Sequence, residues 1–277
     1  MRAACSSGYR RFSFETEAGN IMNLLAADIV ERFYTFLWPM LRISALLIAA
    51  PVFSLRALNL RIRILLALSL TWLVYPLHQW PSIDPISAAG ILEIFNQLAI
   101  GLLMGLTLQV VTAALLVAGQ SISNAMGLSI ANMLDPNLGN VPVLAQFLLI
   151  LSTLIFVGLG GHAILLGLVI ESFSSMPIGK QLLTQAAWAH LVAWSSMMFL
   201  GAILTALPVM VTLLFINIGL GVATRAAPSL NIFSVGFPAM IVAGFAVLTI
   251  SLSSIAGRIQ WLWLQGFVQV RGVVGIT

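Results

Sequence analysis

The residue in this sequence that most plainly demands a chemical partner is Arg42. It falls near the middle of an apolar run over residues 33–53. An unpaired guanidinium at the centre of a membrane helix costs at least about 2.5–3.5 kcal/mol on insertion scales, so the side chain must face protein or water. The carboxylates of Glu93 and Glu171 are the candidate partners. The competing reading is a helix shifted relative to the bilayer, with the arginine head snorkelling to the interface. Arg225 is a further flanking charge, at the end of a charge-free run over residues 181–224.

Catalysis needs groups that converge, and few candidates exist. No G-x-S-x-G, no H-E-x-x-H and no paired intramembrane aspartates occur. A rhomboid-like Ser/His pair is not decided by spacing alone, but no serine stands in a nucleophile motif. His78, His162 and His190 are far apart, and Cys5 is the only cysteine, so neither a zinc cluster nor an internal disulfide is expected. A proton-coupled carrier needs acids buried within its spans. Here Asp28, Glu31, Asp84, Glu93, Asp135 and Glu171 all lie near segment ends or in loops. The chain is therefore expected to be neither an enzyme nor a cofactor protein, and a small-molecule permease is the less favoured alternative.

The elements that must position these residues are set by solvent. The 277 residues are 60% hydrophobic and 7% charged, whereas a soluble domain carries about 25% charged residues. Lipid must cover much of the surface. The net charge of +4 comes from scattered bases that suit headgroups better than nucleic acid. Apolar runs cover residues 33–53, 60–80, 91–119, 143–173, 186–218 and 239–264. They are continuously apolar, without the period-2 alternation of a membrane barrel, and backbone amides in lipid must be satisfied internally. The expected fold is an all-α integral membrane protein of about six long hydrophobic helices.

Some runs are too long for one crossing. Thirty-three helical residues in the fifth run span about 50 Å, against a hydrocarbon core of about 30 Å. Such a helix kinks (Pro208 is the candidate hinge) or projects into protein neighbours. Arg56, Arg61 and Arg63 argue for a cytoplasmic first loop, while Arg271 opposes the orientation that follows. Residues 1–21 are charged, lack the apolar core of a signal peptide and read as a disordered extension or a misassigned start. Residues 22–265 form the helical domain, and 266–277 a C-terminal tail.

Small residues set packing. Gly101 and Gly105 form a GxxxG pair, and Gly161 sits in the fourth run. In lipid, helices associate where small residues let backbones approach. That approach is open to a helix of the same chain or of another. Residues 120–142 are rich in Ser, Asn and Gly, and Asp135-Pro136 and Gly139-Asn140 are turn signals. Yet Ile122, Met126, Ile130 and Met133 recur at helical spacing. A half-polar segment between membrane runs must be buried in protein or line water. The alternatives are a channel-lining segment, sealed by adaptable methionines, and a solvated loop with a short interfacial helix.

These residues also carry a resemblance. Gln109-Val-Val-Thr-Ala-Ala, Gly119-Gln120, Met126-Gly-Leu-Ser, Asp135-Pro136, Gly139, Val141-Pro-Val and Gly161-His162 recur in order. So do Glu171-Ser-Phe, Met176-Pro-Ile-Gly179 and the stretch from Arg225 through Pro228, Asn231, Phe233 and Gly236 to Pro238. Together they resemble the FliR family of flagellar type III secretion, over about residues 22–263. The resemblance implies helix hairpins in a hetero-oligomeric export gate, built with FliP and FliQ homologues and neighboured by FlhB and FlhA homologues. It implies a multi-pass protein of the bacterial inner membrane and flagellar basal body, part of a channel for unfolded exported proteins. It also implies that residues 120–142 plug the closed channel, with Gln120, Asn124, Met126, Gly127, Asn132, Met133, Asp135 and Pro136 as plug residues. The homologous subunit of a virulence injectisome is the alternative within the same resemblance.

Overall fold

The structure, a computed structural model, describes residues 28–53, 59–128, 142–180, 183–226 and 236–276. Residues 1–21, Asn132, Met133, Asp135, Pro136, Pro228, Asn231 and Phe233 lie outside the described residues. Among those described, the regular structure is helical and no strand forms.

In chain order, α1 covers residues 28–49 and α2 Leu60–Val74, followed by a 3-10 turn Tyr75–Leu77. Then come α3 Ala88–Ala125, α4 Val143–Gly158, α5 Gly161–Ser175, α6 Gln185–Ser195, α7 Met197–Ala226 and α8 Phe237–Val274. The turn before α3 follows from its sequence. The Asp84 carboxylate accepts from the Ile86 amide, and the Ser87 hydroxyl caps α3 by accepting from the Gly90 amide at 3.0 Å. At the other end of the chain, Gly275 at φ 70° closes α8, a conformation that costs glycine little.

Four described helices are long and apolar enough to cross a membrane: Leu60–Leu77, Ala88–Ala125, Gln185–Arg225 and Phe237–Val274. A fifth is possible if α4 and α5, bent by 66°, count as one broken span. The expectation of about six long helices is corrected on that point. The first run is helical through residue 49 and carries the buried Arg42. The fourth breaks at Gly160, whose φ of 68° ends one helix and starts the next.

The fifth run is interrupted at Ser196, between α6 and α7, and not at Pro208, which lies inside α7. The sixth continues well past residue 264. Phe267, Val270, Val273 and Val274 are buried there, so residues 266–274 of the stretch read as a tail are the last two and a half turns of α8.

The core forms around α3, which packs against α4, α6, α7 and α8. From Ile100 to Ile122 one face of it is enclosed, with Leu103, Met104, Ala114, Leu115, Ala118 and Ile122 at 0% exposure, while Leu102 and Leu106 on the other side are exposed. In contrast, α2 and α7 turn broad apolar faces outward, as at Trp72, Leu73, Phe199 and Phe215. In water such surfaces would be a liability, whereas in a membrane they are the lipid or protein contact. The chain is a multi-pass membrane protein.

Candidate functional site

Arg42 is fully buried, and its guanidinium is held on every side. Nε donates to Gln97 Oε1 at 2.7 Å. One terminal nitrogen donates to the Ser172 carbonyl at 2.7 Å and to its hydroxyl at 3.0 Å, and the other to the Met176 carbonyl at 2.8 Å. The Phe173 ring lies 4.3 Å below the guanidinium carbon. A planar fork of donors suits this arrangement, because it can satisfy several acceptors without changing rotamer. The link to carboxylate is indirect. Gln97 also donates to Glu93 Oε1, so one amide accepts from the cation and donates to the anion.

Helix geometry explains the relay. Glu93 and Gln97 are four residues apart on α3 and therefore stacked on one face. Asn96 also lies beside Glu93, and its Oδ1 accepts from the Leu183 amide at 2.9 Å. The cluster thereby ties α1, α3, the end of α5 and the approach to α6. Glu171, the other candidate partner, is exposed. It adjoins Ser172 in sequence, but successive helix positions point about 100° apart. Arg225, in the last turn of α7, is also exposed and outside this cluster. Gln97 and the two backbone carbonyls were not singled out by the sequence reading. The i, i+4 spacing of Glu93 and Gln97 was a legible signal, but a carbonyl ligand has no signature in sequence.

Gly101 and Gly105 continue the same face of α3 toward the end of α1. A Cβ on Gly101 would meet the Arg42 carbonyl and lie 2.8 Å from the Ala45 Cβ. One on Gly105 would meet Ala49 and lie 2.9 Å from the Ala50 amide nitrogen. The GxxxG pair thus packs within the chain. Gly119, which the pattern did not assign to packing, crosses α4 as closely, at Ala145. Gly161 meets the Phe156 ring of the helix before it.

The segment expected to start a loop at residue 120 starts later. α3 runs on to Ala125, so Gln120 and Asn124 are helical, and Met126 is fully buried. Polar Ser and Asn residues signal a loop, but Ala118, Ile122 and Met126 form an i, i+4, i+8 stripe whose burial decides the conformation. The Met126 side chain fills the notch at Gly244 on α8, where a Cβ would lie 2.5 Å from its methyl carbon. Gly127 then turns the chain with φ 79°. Gly236 and Pro238 open α8, the proline in its first turn, where a missing amide hydrogen costs nothing.

Comparison with known proteins bears on this architecture. The sequence model of the bacterial export proteins, family 1, matches residues 33–266. The flagellar biosynthetic protein FliR of Pectobacterium carotovorum subsp. carotovorum is 36% identical over 241 residues, 87% of this chain and 92% of that protein. The protein of the same name in Escherichia coli (strain K12) is 34% identical over 240 residues, 86% of this chain and 92% of that one. The one in Bacillus subtilis (strain 168) is 30% identical over 254 residues, covering 90% and 94%.

Proposed function

Because the chain belongs to the bacterial export proteins of family 1, we propose that it is a pore-building subunit of the flagellar type III protein export gate. In this reading it assembles with FliP and FliQ homologues in the inner membrane, with FlhA and FlhB homologues nearby. Unfolded proteins destined for the flagellum cross the channel that the subunits enclose. The segment following α3 closes that channel when export is idle.

One structural observation carries the assembly reading. α3 and α8 are 38 residues each, and the α6–α7 span is 41. At about 1.5 Å per residue they extend about 57–62 Å, roughly twice a hydrocarbon core of about 30 Å. α8 and α7 remain apolar on the outside over most of that length, as at Leu200, Leu214, Val222, Val242, Ile250 and Val268. Lipid covers only part of such a surface, and protein neighbours account for the remainder. Packing among long apolar helices of several chains meets that need.

The test is to purify the chain from the membranes of the cells that make it, with an affinity tag. A stable complex with FliP and FliQ homologues is expected. Loss of filament assembly when the gene is deleted, restored by the intact gene, is expected alongside. A monodisperse monomer that binds a solute, with motility unaffected by the deletion, would overturn the reading.

A further inference from the structure

Charge is unevenly shared along this chain. Every aspartate and glutamate lies at or before Glu171, whereas residues 172–277 carry Lys180, Arg225, Arg258 and Arg271 and no acid. Three of those bases stand where a cation needs no carboxylate. Lys180 is in a turn, and Arg225 and Arg271 are in the last turns of α7 and α8, beside the carbonyls of a helix C-terminus. Arg258 is the exception. It is exposed, with twenty-one residues of α8 before it and sixteen after, so each end of the helix is at least about 24 Å away.

The described carboxylates are out of its reach. Gly244 of α8 meets Met126, and Gly266 meets Val111, so α8 runs antiparallel to α3 and Arg258 lies between those two levels. Glu93 is eighteen residues further down α3 from Val111, about 27 Å. Glu171 adjoins Ser172 in the Arg42 cage, at the level of Gln97. Asp84 precedes α3, and Asp28 and Glu31 begin α1, which lies parallel to α3. Among the described residues, no acid pairs with Arg258.

The surface around Arg258 shows what it faces. α7 lies alongside, with Gly201 against Leu262. On either side of that contact Phe199, Leu200, Ile203 and Leu207 are exposed and apolar. On α8 itself Ile250 is exposed before Arg258, and Leu264 and Val268 after it. A headgroup layer would divide apolar from polar surface at the arginine, and no such division occurs. Apolar surface continues on both sides, mixed after Arg258 with Gln260, Gln265 and Gln269. Amides in hydrocarbon need partners, and in membranes they find them across helices. The turn before Arg258 is small. Ser253, Ser254 and Gly257 are exposed, and a Cβ on Gly257 would meet nothing within 4 Å, which leaves room for another backbone.

We propose that Arg258 is one half of an ion pair between proteins: it receives an aspartate or glutamate carboxylate from a helix of a neighbouring protein packed on the α7–α8 face. A guanidinium–carboxylate pair satisfies both charges in an apolar band, where an isolated ion of either kind is costly. It also selects the face and register of the neighbour, which apolar contact leaves open. The pair presupposes a protein neighbour, as the gate reading does, but holds whatever the assembly exports.

The experiment uses the full chain in the membranes of the cells that make it. Arg258→Lys places a primary amine at this position, and dicyclohexylcarbodiimide, which partitions into apolar regions, activates carboxyl groups there. The amine displaces the urea, so an amide forms only to a carboxylate in contact. Fragmentation mass spectrometry of the purified adduct is expected to show position 258 joined to one aspartate or glutamate of a co-purifying protein. Charge reversal gives the second arm. Arg258→Glu should lower recovery of the complex several-fold while Arg258→Lys keeps it, and lysine in place of the partner acid that the amide identifies should restore it. The amount of chain in the membrane should be the same for both variants.

An adduct to Asp135 or another acid within the same chain, an adduct to lipid alone, or no adduct in an intact complex would each overturn the proposal. So would an undiminished complex carrying Arg258→Glu. All four leave the gate reading standing, whose own failure shows as the unaltered chain purifying without a partner. Should Arg258→Glu fail to accumulate, the amide formed by Arg258→Lys decides by itself.

Discussion

Replacing Arg42 with leucine tests whether the buried cluster holds the fold together or merely tolerates a charge. The substitution removes the donors to Gln97 Oε1 and to the Ser172 and Met176 carbonyls. The Ser172 carbonyl keeps the Met176 amide as a donor at 3.0 Å. Gln97 Oε1 and the Met176 carbonyl lose their arginine donor, at about 1–3 kcal/mol for each acceptor left unsatisfied. Glu93, 5% exposed, loses the cation that Gln97 relays to it. Those losses together fall in the range of about 3–5 kcal/mol seen when one partner of a buried pair is removed.

The gain from taking a guanidinium out of a membrane setting opposes this, so the sign of the result is informative. In detergent the expected fall in apparent Tm for a chain of this size is on the order of 10 °C, read by fluorescence-detected gel filtration after heating. Adding Glu93→Gln to Arg42→Leu removes the stranded carboxylate, so the double variant should recover part of the loss. A coupling of about 1 kcal/mol or more is expected from the cycle. Additive effects, or an Arg42→Leu chain as stable as the parent, would show that the arginine is not tied to Glu93 through Gln97.

Four further outcomes are expected. Gly101→Leu with Gly105→Leu drives side chains into the α1 backbone. Overpacking costs about 1–3 kcal/mol per site, so the yield of folded chain and of any co-purified complex should fall; unchanged yield and export would remove these glycines from the packing seam. Met126→Ala opens a cavity opposite Gly244 and should destabilise by about 2–5 kcal/mol, measured as a Tm shift in the same assay. Trp263→Ala removes a fully buried ring that packs tilted against Phe156, with centroids 4.7 Å apart, and the hydrogen bond to Ser152 at 2.9 Å; a loss of about 3–5 kcal/mol is expected. Glu171→Gln should leave folding and assembly unchanged, since its side chain is exposed, and a marked loss of complex would instead assign it to a partner contact.

The apolar runs made the helical class legible because continuous hydrophobicity has one solution in lipid. Their breaks were less legible. Pro208 is the stronger helix breaker by local chemistry, yet α7 passes through it and the interruption falls at Ser196. A proline kinks a helix without ending it when neighbouring packing holds both sides, and Ala202, Thr205, Ala206, Val209 and Leu213 are all buried there. The end of α3 failed for a related reason. Local polarity at Ser121, Ser123 and Asn124 suggested a loop and the spacing of Ile122 and Met126 a helix, and the enclosed face of the same turns keeps them helical. Arg42 was legible as a residue needing partners, and Glu93 as a charge in its reach. The i, i+4 spacing made the Glu93–Gln97 contact legible as well, but that the backbone carbonyls of Ser172 and Met176 complete the cage depends on the bend between α4 and α5, which sequence does not specify.

That bend gives the cluster its meaning for assembly. Gly160, in the left-handed conformation, turns α5 by 66° from α4, and Arg42 then fastens the far end of α5 to α1. Meanwhile Glu93 and Gln97 hold the start of α3, and Gly101 and Gly105 let α1 lie on its next turns. The polar cage and the glycine seam therefore act on one helix pair, the first fixing direction and the second distance. Hydrophobic contact alone would leave both loosely set, since apolar side chains attract one another without orientation and lipid offers no contrast to drive them together. A subunit that must present long apolar faces to other chains needs its own helices fixed first. The costly buried charge is placed where it serves that end, at the junction of α1, α3 and α5 and away from the outward faces of α2 and α7.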